Sequence, residues 1–302
     1  MCNSHAFEFR ELPCAVCGST SRKALGWRGG EAHHDRRGVR VQIVRCESCS
    51  HLYPHPMPFP RANLSSLYTD PEDYFSAHDV ETKKRNAREM MRTLESKLGR
   101  RGSVLDVGCG RGELLWAARE AGWEFAGVDP SPAYLEWGRV HLGIEAQLGT
   151  LEELKFADEG FDVILMEGLI EHLYDPYSGL REVWRLLKPG GICYLDAPNE
   201  DSLYMKIGNL YMRALSRDWV VNLAPTFPPY HVQGFNPISL LRLVERVGFK
   251  VEEFNIFGTV VPLTGKASLR KNIEHQAARL VNWLGNRMGA GVYTDVWLRK
   301  PY

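Results

Sequence analysis

The stretch that most constrains the fold is residues 104–113, Val-Leu-Asp-Val-Gly-Cys-Gly-Arg-Gly-Glu. Its apolar first half contains Asp106 and predicts a short buried strand, and its second half alternates three glycines that include Gly108 and Gly110. Residues 114–120 follow with a helical pattern. A glycine turn between a buried strand and a helix is typical of a parallel α/β sheet, and it lets the backbone approach a ligand closely.

A second acidic residue ends the next predicted strand. Residues 125–129, Phe-Ala-Gly-Val-Asp, finish with Asp129, which is followed by Pro130. A carboxylate at the tip of this strand can accept hydrogen bonds from both ribose hydroxyls of an adenosine. The glycine spacing differs from the Gly-x-Gly-x-x-Gly loop that binds a pyrophosphate. Asp106 would repel a diphosphate but suits an ammonium group.

These two motifs, residues 105–110 and 127–130, resemble those of the class I S-adenosylmethionine-dependent methyltransferases. The resemblance implies an α/β fold: a Rossmann-like, seven-stranded, mostly parallel sheet with helices on both faces. It implies S-adenosyl-L-methionine as the cofactor, with S-adenosyl-L-homocysteine as the product. It also implies that the loop holds the amino-acid part and the second strand the ribose, through Asp106, Gly108, Cys109, Gly110, Asp129 and Pro130.

The later motifs of the family follow in order. The resemblance places the adenine pocket after the predicted third strand, residues 144–148. Thr150 stands there in place of the usual aspartate, so Leu151 and Glu152 are the expected contacts. Glu167, after the predicted strand 161–166, is a further candidate for cofactor contact. The family's Leu-Lys-Pro-Gly-Gly segment is expected to form a turn before strand five, and residues 292–298 a closing antiparallel strand.

Glu171 and His172 follow the fourth predicted strand, whose carboxyl end faces the ligand crevice of an open sheet. His172 could therefore act as the base that takes a proton from an acceptor hydroxyl. The resemblance makes His231 a second base candidate. Each histidine could instead only orient a turn or hinge. Gly168 stands where some relatives have the first glutamate of a Glu-x-x-Glu-His metal motif, which argues against a catalytic metal.

Two Cys-x-x-Cys pairs near the amino terminus predict a metal site. The pairs are Cys14 with Cys17 and Cys46 with Cys49. Two such pairs can surround one tetrahedral zinc ion and leave no open position, so we expect a structural zinc ribbon. The nearby histidines are expected to be solvated surface residues, since the thiolates already complete the site: His33, His34, His51 and His55.

The expected organisation is a zinc-ribbon domain, 1–58, and a methyltransferase domain, 59–302. The second domain carries an aromatic-rich insertion over about 199–236, interpreted as a helical cap on the acceptor site, and an amphipathic helical insertion over about 265–290. Tyr74, in the aromatic segment before the first strand, could lie over the cofactor as a lid or pack at the domain junction.

Composition limits the partners. The chain has 37 basic and 37 acidic side chains and a formal net charge of zero, which argues against a broad grip on nucleic acid. No apolar run is long enough for a membrane span, and the first residues lack a signal pattern, so a cytoplasmic location without membrane contact is expected. The oligomeric state is left open between a monomer and a homodimer.

A small-molecule acceptor, such as a sugar or natural-product intermediate, is the leading hypothesis for the substrate. One alternative is an RNA methyltransferase whose ribbon binds RNA through a set of basic residues: Arg22, Lys23, Arg28, Arg36, Arg37, Arg40 and Arg45. The other alternative is a methyltransferase-like binding protein without catalysis.

Overall fold

The computed structural model describes residues 6–30, 38–62, 79–151, 153, 156–227, 230–258 and 269–302. The strands are β1 Phe7–Arg10, β2 Arg22–Arg28, β3 Val41–Cys46, β4 Leu52–Pro54, β5 Met57–Pro60, β6 Ser103–Val107, β7 Glu124–Asp129, β8 Gln147–Leu148, β9 Phe161–Met166, β10 Leu187–Pro198, β11 Lys250–Phe257 and β12 Tyr293–Arg299. The helices are α1 Val80–Leu98, α2 Glu113–Glu120, α3 Pro132–Leu142, α4 Pro176–Leu186, α5 Leu203–Ala214, α6 Pro237–Val247 and α7 Leu269–Arg287.

A seven-stranded sheet forms the centre of the molecule, in the order β11-β12-β10-β9-β6-β7-β8. The five strands from β10 to β8 are parallel, whereas β12 runs antiparallel to both of its neighbours. All five residues of β6 are buried, as expected for a strand covered on both faces. The predicted fold class is confirmed, and the parallel strands direct their carboxyl ends toward one edge of the sheet.

Helices cover both faces of this sheet. On one face, Met91 and Leu94 of α1 pack with Leu165 of β9 in one buried cluster. On the other face, Leu180 and Val183 of α4 pack with Leu105, Ile164 and neighbouring apolar residues in a second cluster. The two clusters fix the strand ends that carry the acidic residues of the sequence motifs.

Two strands differ from the sequence-based prediction. The predicted third strand, 144–148, shortens to β8, Gln147–Leu148. The predicted turn at 188–191 is wrong, because these residues belong to β10 and contain a register shift between Leu187 and Ile192. The backbone amide of Gly190 donates to the carbonyl of Lys300 at 2.9 Å, and that of Lys300 donates to Gly191 at 3.0 Å, so the segment is held by the chain beyond β12.

The ribbon is built from two small sheets, β2-β3-β4 and β1-β5, and it shares a core with the large domain. Tyr53 and Met57 of the ribbon belong to the same buried cluster as Phe235 at the start of the α6 region. The backbones of Leu52 and Gly234 exchange two hydrogen bonds of 2.7 and 2.9 Å. The ribbon and the α/β domain are therefore continuous in packing.

The insertion at 199–236 is only partly helical. None of the side chains of α5 is buried. The chain after α5 lies on the ribbon: the amide of Val220 donates to the carbonyl of Trp27 at 3.0 Å, and Arg28 donates to the carbonyl of Leu223 at 2.7 Å. The predicted helix in the second insertion is present as α7, which contacts α5.

In the part of the chain that the structure describes, none of the helices has the length and apolar character needed to cross a membrane.

Candidate active site

The glycine loop leaves β6 at the carboxyl edge of the sheet. The amides of Gly108 and Cys109 both donate to the carbonyl of Val128, at 2.8 and 3.1 Å, which ties the loop to β7. Gly110 has a φ of +54°, a conformation that side chains other than glycine rarely adopt. Among the described residues, no heavy atom lies within 4 Å of a Cβ added at Gly110, so a ligand could approach the backbone there.

Cys109 contributes to this loop through its backbone. Its side chain is buried in a cluster with Leu115, Leu142 and Ile144. A Cβ added at Gly127 would lie 3.1 Å from the Cys109 sulfur. The thiol therefore packs against β7. Cys109 would contact a cofactor through its backbone atoms.

Asp106 and Asp129 lie at the ends of neighbouring strands and are both buried. The two carboxylate oxygens of Asp129 accept hydrogen bonds from the amides of Gly110 at 2.9 Å and Ser131 at 2.8 Å. Burial raises the pKa of both aspartates, and the carboxylate of Glu167 adds to the effect at Asp106. A positively charged ligand would relieve this charge repulsion, as the sulfonium and ammonium groups of S-adenosylmethionine would.

Asp196 is an acidic residue of this edge that the sequence analysis missed. It lies near the end of β10, and its carboxylate accepts a hydrogen bond from the amide of Gly168 at 2.5 Å. Glu167 is exposed to solvent beside it, and desolvation by the surrounding protein atoms together with the charge of Asp196 raises its pKa to about 7. An aspartate at the end of a buried strand was the signal that identified Asp106 and Asp129, and the same signal could have identified Asp196.

The remaining predicted cofactor residues are placed as follows. Pro130 is half-buried directly after Asp129, whose carbonyl accepts a hydrogen bond from the amide of Gly149 at 3.1 Å. Leu151 is buried in the large apolar cluster beneath the sheet edge. Tyr74 and Glu152 lie outside the described residues.

The three predicted catalytic side chains come together. The ligand atoms of Glu171, His172 and His231 all lie within 4.8 Å of one another, and the two imidazole rings are 4.8 Å apart and nearly perpendicular. The backbone carbonyl of Glu171 accepts hydrogen bonds from the amides of Val232 and Gln233, at 2.9 and 3.0 Å. These bonds join the turn after β9 to the segment before α6.

Burial determines the charge state of this cluster. It raises the pKa of Glu171 to about 8 and lowers the pKa of His172. Burial and the neighbouring His172 lower the pKa of His231 to about 3. One carboxyl oxygen of Glu171 has no hydrogen-bond partner among the described residues. These shifts favour the uncharged form of all three side chains at neutral pH, so an unprotonated imidazole nitrogen could receive a proton, and the cluster could coordinate a cation once Glu171 loses its own proton.

The four ribbon cysteines form a second cluster. Sulfur atoms of Cys14 and Cys49 are 3.5 Å apart, as are those of Cys17 and Cys46, and all four sulfurs lie within 4.8 Å of one another. Around a tetrahedral zinc ion with bonds of about 2.3 Å, sulfurs would be separated by about 3.8 Å. The hydrogen bond with Cys14, together with burial, raises the pKa of Cys49. A cation would stabilise the thiolates, so the cluster could hold a structural zinc ion.

The prediction that His51 is a solvated surface residue is wrong. His51 is fully buried, and its Nε2 atom lies 2.8 Å from the side-chain oxygen of Gln233. His55 is partly buried, and burial lowers its pKa. His33 and His34 lie outside the described residues. The sequence alone could not indicate this burial, because Gln233, the partner of His51, lies 182 residues further along the chain.

Comparison with known proteins identifies the family of this chain. Residues 77–253 match the model of a family described as "Methyltransferase domain". Curated relatives are named ubiquinone biosynthesis O-methyltransferase. The one from Thiobacillus denitrificans is 29% identical over 53% of this chain and 69% of its own length. The one from Ruegeria pomeroyi is 36% identical over 45% of this chain and 60% of its own length. The matches thus span about two thirds of these enzymes or less.

Solved structures share the fold. A methyltransferase from Archaeoglobus fulgidus described as SAM-dependent is 20% identical, has a TM-score of 0.51, and covers 76% of this chain and 100% of its own. A second structure is the complex between the Haloferax volcanii Trm112 methyltransferase activator and a methyltransferase. The matching chain is 18% identical, has a TM-score of 0.53, and the match covers 80% of this chain and 98% of that chain. The chain belongs to the methyltransferase-domain family and is an S-adenosylmethionine-dependent methyltransferase, so the non-catalytic alternative is not supported.

Proposed function

We propose that this enzyme transfers the methyl group of S-adenosylmethionine to a hydroxyl oxygen of a small-molecule acceptor. The observation that carries the proposal is the cluster of Glu171, His172 and His231 at the sheet edge where the motif aspartates also end. The names of the curated relatives, which are O-methyltransferases, support an oxygen acceptor. We further propose that Asp106, the glycine loop and Asp129 hold the cofactor.

His172 is the better base candidate because its protonation is defined. Its Nδ1 atom lies 3.2 Å from the carbonyl oxygen of Tyr230, and a carbonyl can only accept, so Nδ1 carries the proton. The other nitrogen, Nε2, is then free to take a proton from a hydroxyl. In this proposal His231 and Glu171 complete the polar wall that receives the hydroxyl. Most of the rate enhancement comes from holding the oxygen in line with the sulfonium methyl.

The low basicity of these histidines favours an acidic hydroxyl. Because burial lowers the pKa of both imidazoles, they are weak bases for an alcohol. A phenol has a pKa of about 10 and loses its proton far more readily than an aliphatic hydroxyl. Within the expected class of sugar or natural-product intermediates, a phenolic acceptor is therefore favoured over a sugar.

Aromatic rings beside the cluster support a planar acceptor. Tyr230 forms an edge-on contact with Phe7 of the ribbon at 6.1 Å, and Tyr174 stacks on Phe59 at 4.4 Å. Both tyrosines are neighbours in sequence of the cluster, and both phenylalanines come from the β1-β5 sheet. In this proposal the ribbon forms part of the wall of the acceptor site.

The test is a methyl-transfer assay with S-adenosylmethionine and a panel of catechols, simple phenols and sugars, read by mass spectrometry of the products. We expect methylated phenols, and little product after His172→Gln. The matched control is His141→Gln, since His141 is an exposed histidine on α3 whose ring contacts the carbonyl of Trp137. Transfer to sugars alone, or equal loss in both variants, would contradict the proposal.

The same cluster offers a second way to activate the hydroxyl. Two neutral imidazoles and a carboxyl within 4.8 Å of one another match the ligand types of a divalent cation. A cation there would lower the pKa of a bound hydroxyl without a strong base. Restoration of activity in chelator-treated enzyme by magnesium or manganese, with ribbon zinc unchanged, would favour this mechanism. Full activity after chelation would exclude it.

RNA methylation is less well supported. Arg28 is largely buried, with its guanidinium bonded to the carbonyl of Leu223, and Arg45 forms a two-fold hydrogen bond with Asp201 at 2.6 and 3.1 Å. Both side chains are part-buried and hold the ribbon against the insertion, so their guanidinium groups are already engaged within the protein. Arg36 and Arg37 lie outside the described residues.

A further inference from the structure

His51 has a partner that neither zinc binding nor cofactor binding requires. It lies two residues after Cys49 and is fully buried where the ribbon meets the α/β domain. Its ring packs 4.8 Å from that of Phe235, and its Nε2 atom lies 2.8 Å from the side-chain oxygen of Gln233. Because an amide oxygen only accepts, His51 is the donor of this bond.

Gln233 connects this contact to the catalytic cluster. It is 1% exposed, and its side-chain nitrogen donates to the carbonyl of Tyr174 at 3.3 Å. Its backbone amide donates to the carbonyl of Glu171 at 3.0 Å. Gln233 therefore holds both ends of the turn that carries Glu171 and His172, and it lies two residues from His231.

We propose that His51 is a positioning residue for methyl transfer, acting through Gln233 to hold the Glu171-His172 turn against His231. The inference rests on the proposed function of that cluster. By this route the ribbon contributes to the geometry of the catalytic site in addition to its own zinc site.

The physical reason lies in the orientation of the Gln233 amide. The donor of His51 directs the amide oxygen toward the ribbon and the amide nitrogen toward Tyr174. Without that donor the buried oxygen would be unpaired, which is costly, and the amide would rotate or admit water. The turn after β9 would then lose the hydrogen bond from Gln233 to the carbonyl of Tyr174. Small displacements of this kind reduce rate more than binding, since the reacting groups must be held in line.

The test compares three variants of the full-length zinc-loaded enzyme. His51→Leu removes the donor, and His51→Gln retains an N–H donor in a similar position. Tyr53→Phe is the matched control, because Tyr53 is a similarly buried ribbon residue whose ring stacks on His51, while the hydroxyl that the variant removes has no hydrogen-bond partner among the described residues. The measurements are zinc content, affinity for S-adenosylhomocysteine, amide hydrogen exchange, and the kinetics of phenol methylation.

For His51→Leu we expect full zinc content and unchanged affinity for S-adenosylhomocysteine. We expect amide exchange about tenfold faster in residues 169–175 and 230–236, as follows from losing a hydrogen bond worth about 1.4 kcal/mol. Exchange in β3 should not change. The kcat should fall about tenfold while the KM for S-adenosylmethionine stays constant. His51→Gln should recover most of both effects, and Tyr53→Phe should resemble wild type.

The proposal would be overturned if His51→Leu had the same amide exchange rates and the same kcat as Tyr53→Phe. If His51→Leu loses zinc or unfolds, Gln233→Leu replaces it, and unchanged exchange at 169–175 in that variant would equally overturn it. If wild type methylates no phenol, the proposed function fails, while the exchange data still decide whether His51 positions the turn.

Discussion

Replacement of Asp129 by alanine is the most informative perturbation of the proposed cofactor site. Its two carboxylate oxygens already accept one backbone amide each, from Gly110 at 2.9 Å and Ser131 at 2.8 Å. Each oxygen retains a second lone pair, so the carboxylate can accept both ribose hydroxyls without breaking the loop. Asp129→Ala would remove both proposed ribose contacts and one anchor of the glycine loop.

The expected loss can be calculated from these contacts. Two hydrogen bonds to a charged acceptor contribute at least about 1.5 kcal/mol each, or about 3 kcal/mol together. We therefore expect the Kd for S-adenosylhomocysteine to rise about 100-fold. The fold should persist, since Asp129 is not part of the apolar clusters on the two faces of the sheet.

Isothermal titration with S-adenosylhomocysteine measures this change. The matched control is Asp162→Ala, because Asp162 is a buried aspartate that also accepts a backbone amide, from Ser103 at 2.9 Å, but lies at the opposite end of the sheet. The control should bind with nearly wild-type affinity. If the Kd of Asp129→Ala lies within about threefold of the control Kd, the binding free energies differ by less than about 0.7 kcal/mol. That result would refute a ribose-binding role for Asp129.

Three further predictions concern stability. Burial alone would raise the pKa of Asp162, but hydrogen bonds led by that from Lys188 hold it below its ordinary value, so its contribution is present above about pH 4 and is lost only as the pH falls through the lowered folded-state pKa. Asp162→Asn should cost about 2–3 kcal/mol in urea unfolding at pH 7 and progressively less as the pH falls below about 4. Gly127→Ala should cost about 1–3 kcal/mol by the same assay, because its Cβ would lie 2.3 Å from a methyl of Leu115; an unchanged midpoint would show that the core can yield there. Cys46→Ser should release zinc and lower the Tm by several degrees, and full zinc content in that variant would contradict the four-thiol site.

The parts of the fold that could be predicted are those with local signals. The glycine loop and the strand ending in Asp129 are defined by a few consecutive residues, and the four cysteines by fixed spacing. The order of the later strands followed from the family resemblance. Asp196 carried the same local signal as Asp106, yet it was missed because the resemblance assigns no role to that strand end.

The parts that could not be predicted depend on packing between distant segments. His51 follows a pair of zinc-type cysteines, and nothing near it in the sequence indicates that Gln233 closes over it. The apolar pattern of the insertion suits a cap. In the structure, however, its residues Val220 and Leu223 pack against apolar residues of the ribbon. In both cases the partner lies across the contact between the ribbon and the rest of the chain.

The central claim is that the sulfonium methyl faces the cluster of Glu171, His172 and His231. The most direct test is an isotope-filtered NOE experiment on the enzyme with S-adenosylmethionine carrying a labelled methyl group. The account predicts cross-peaks from that methyl to ring protons of His172 or His231. Cross-peaks to other side chains, with none to either histidine, would contradict it.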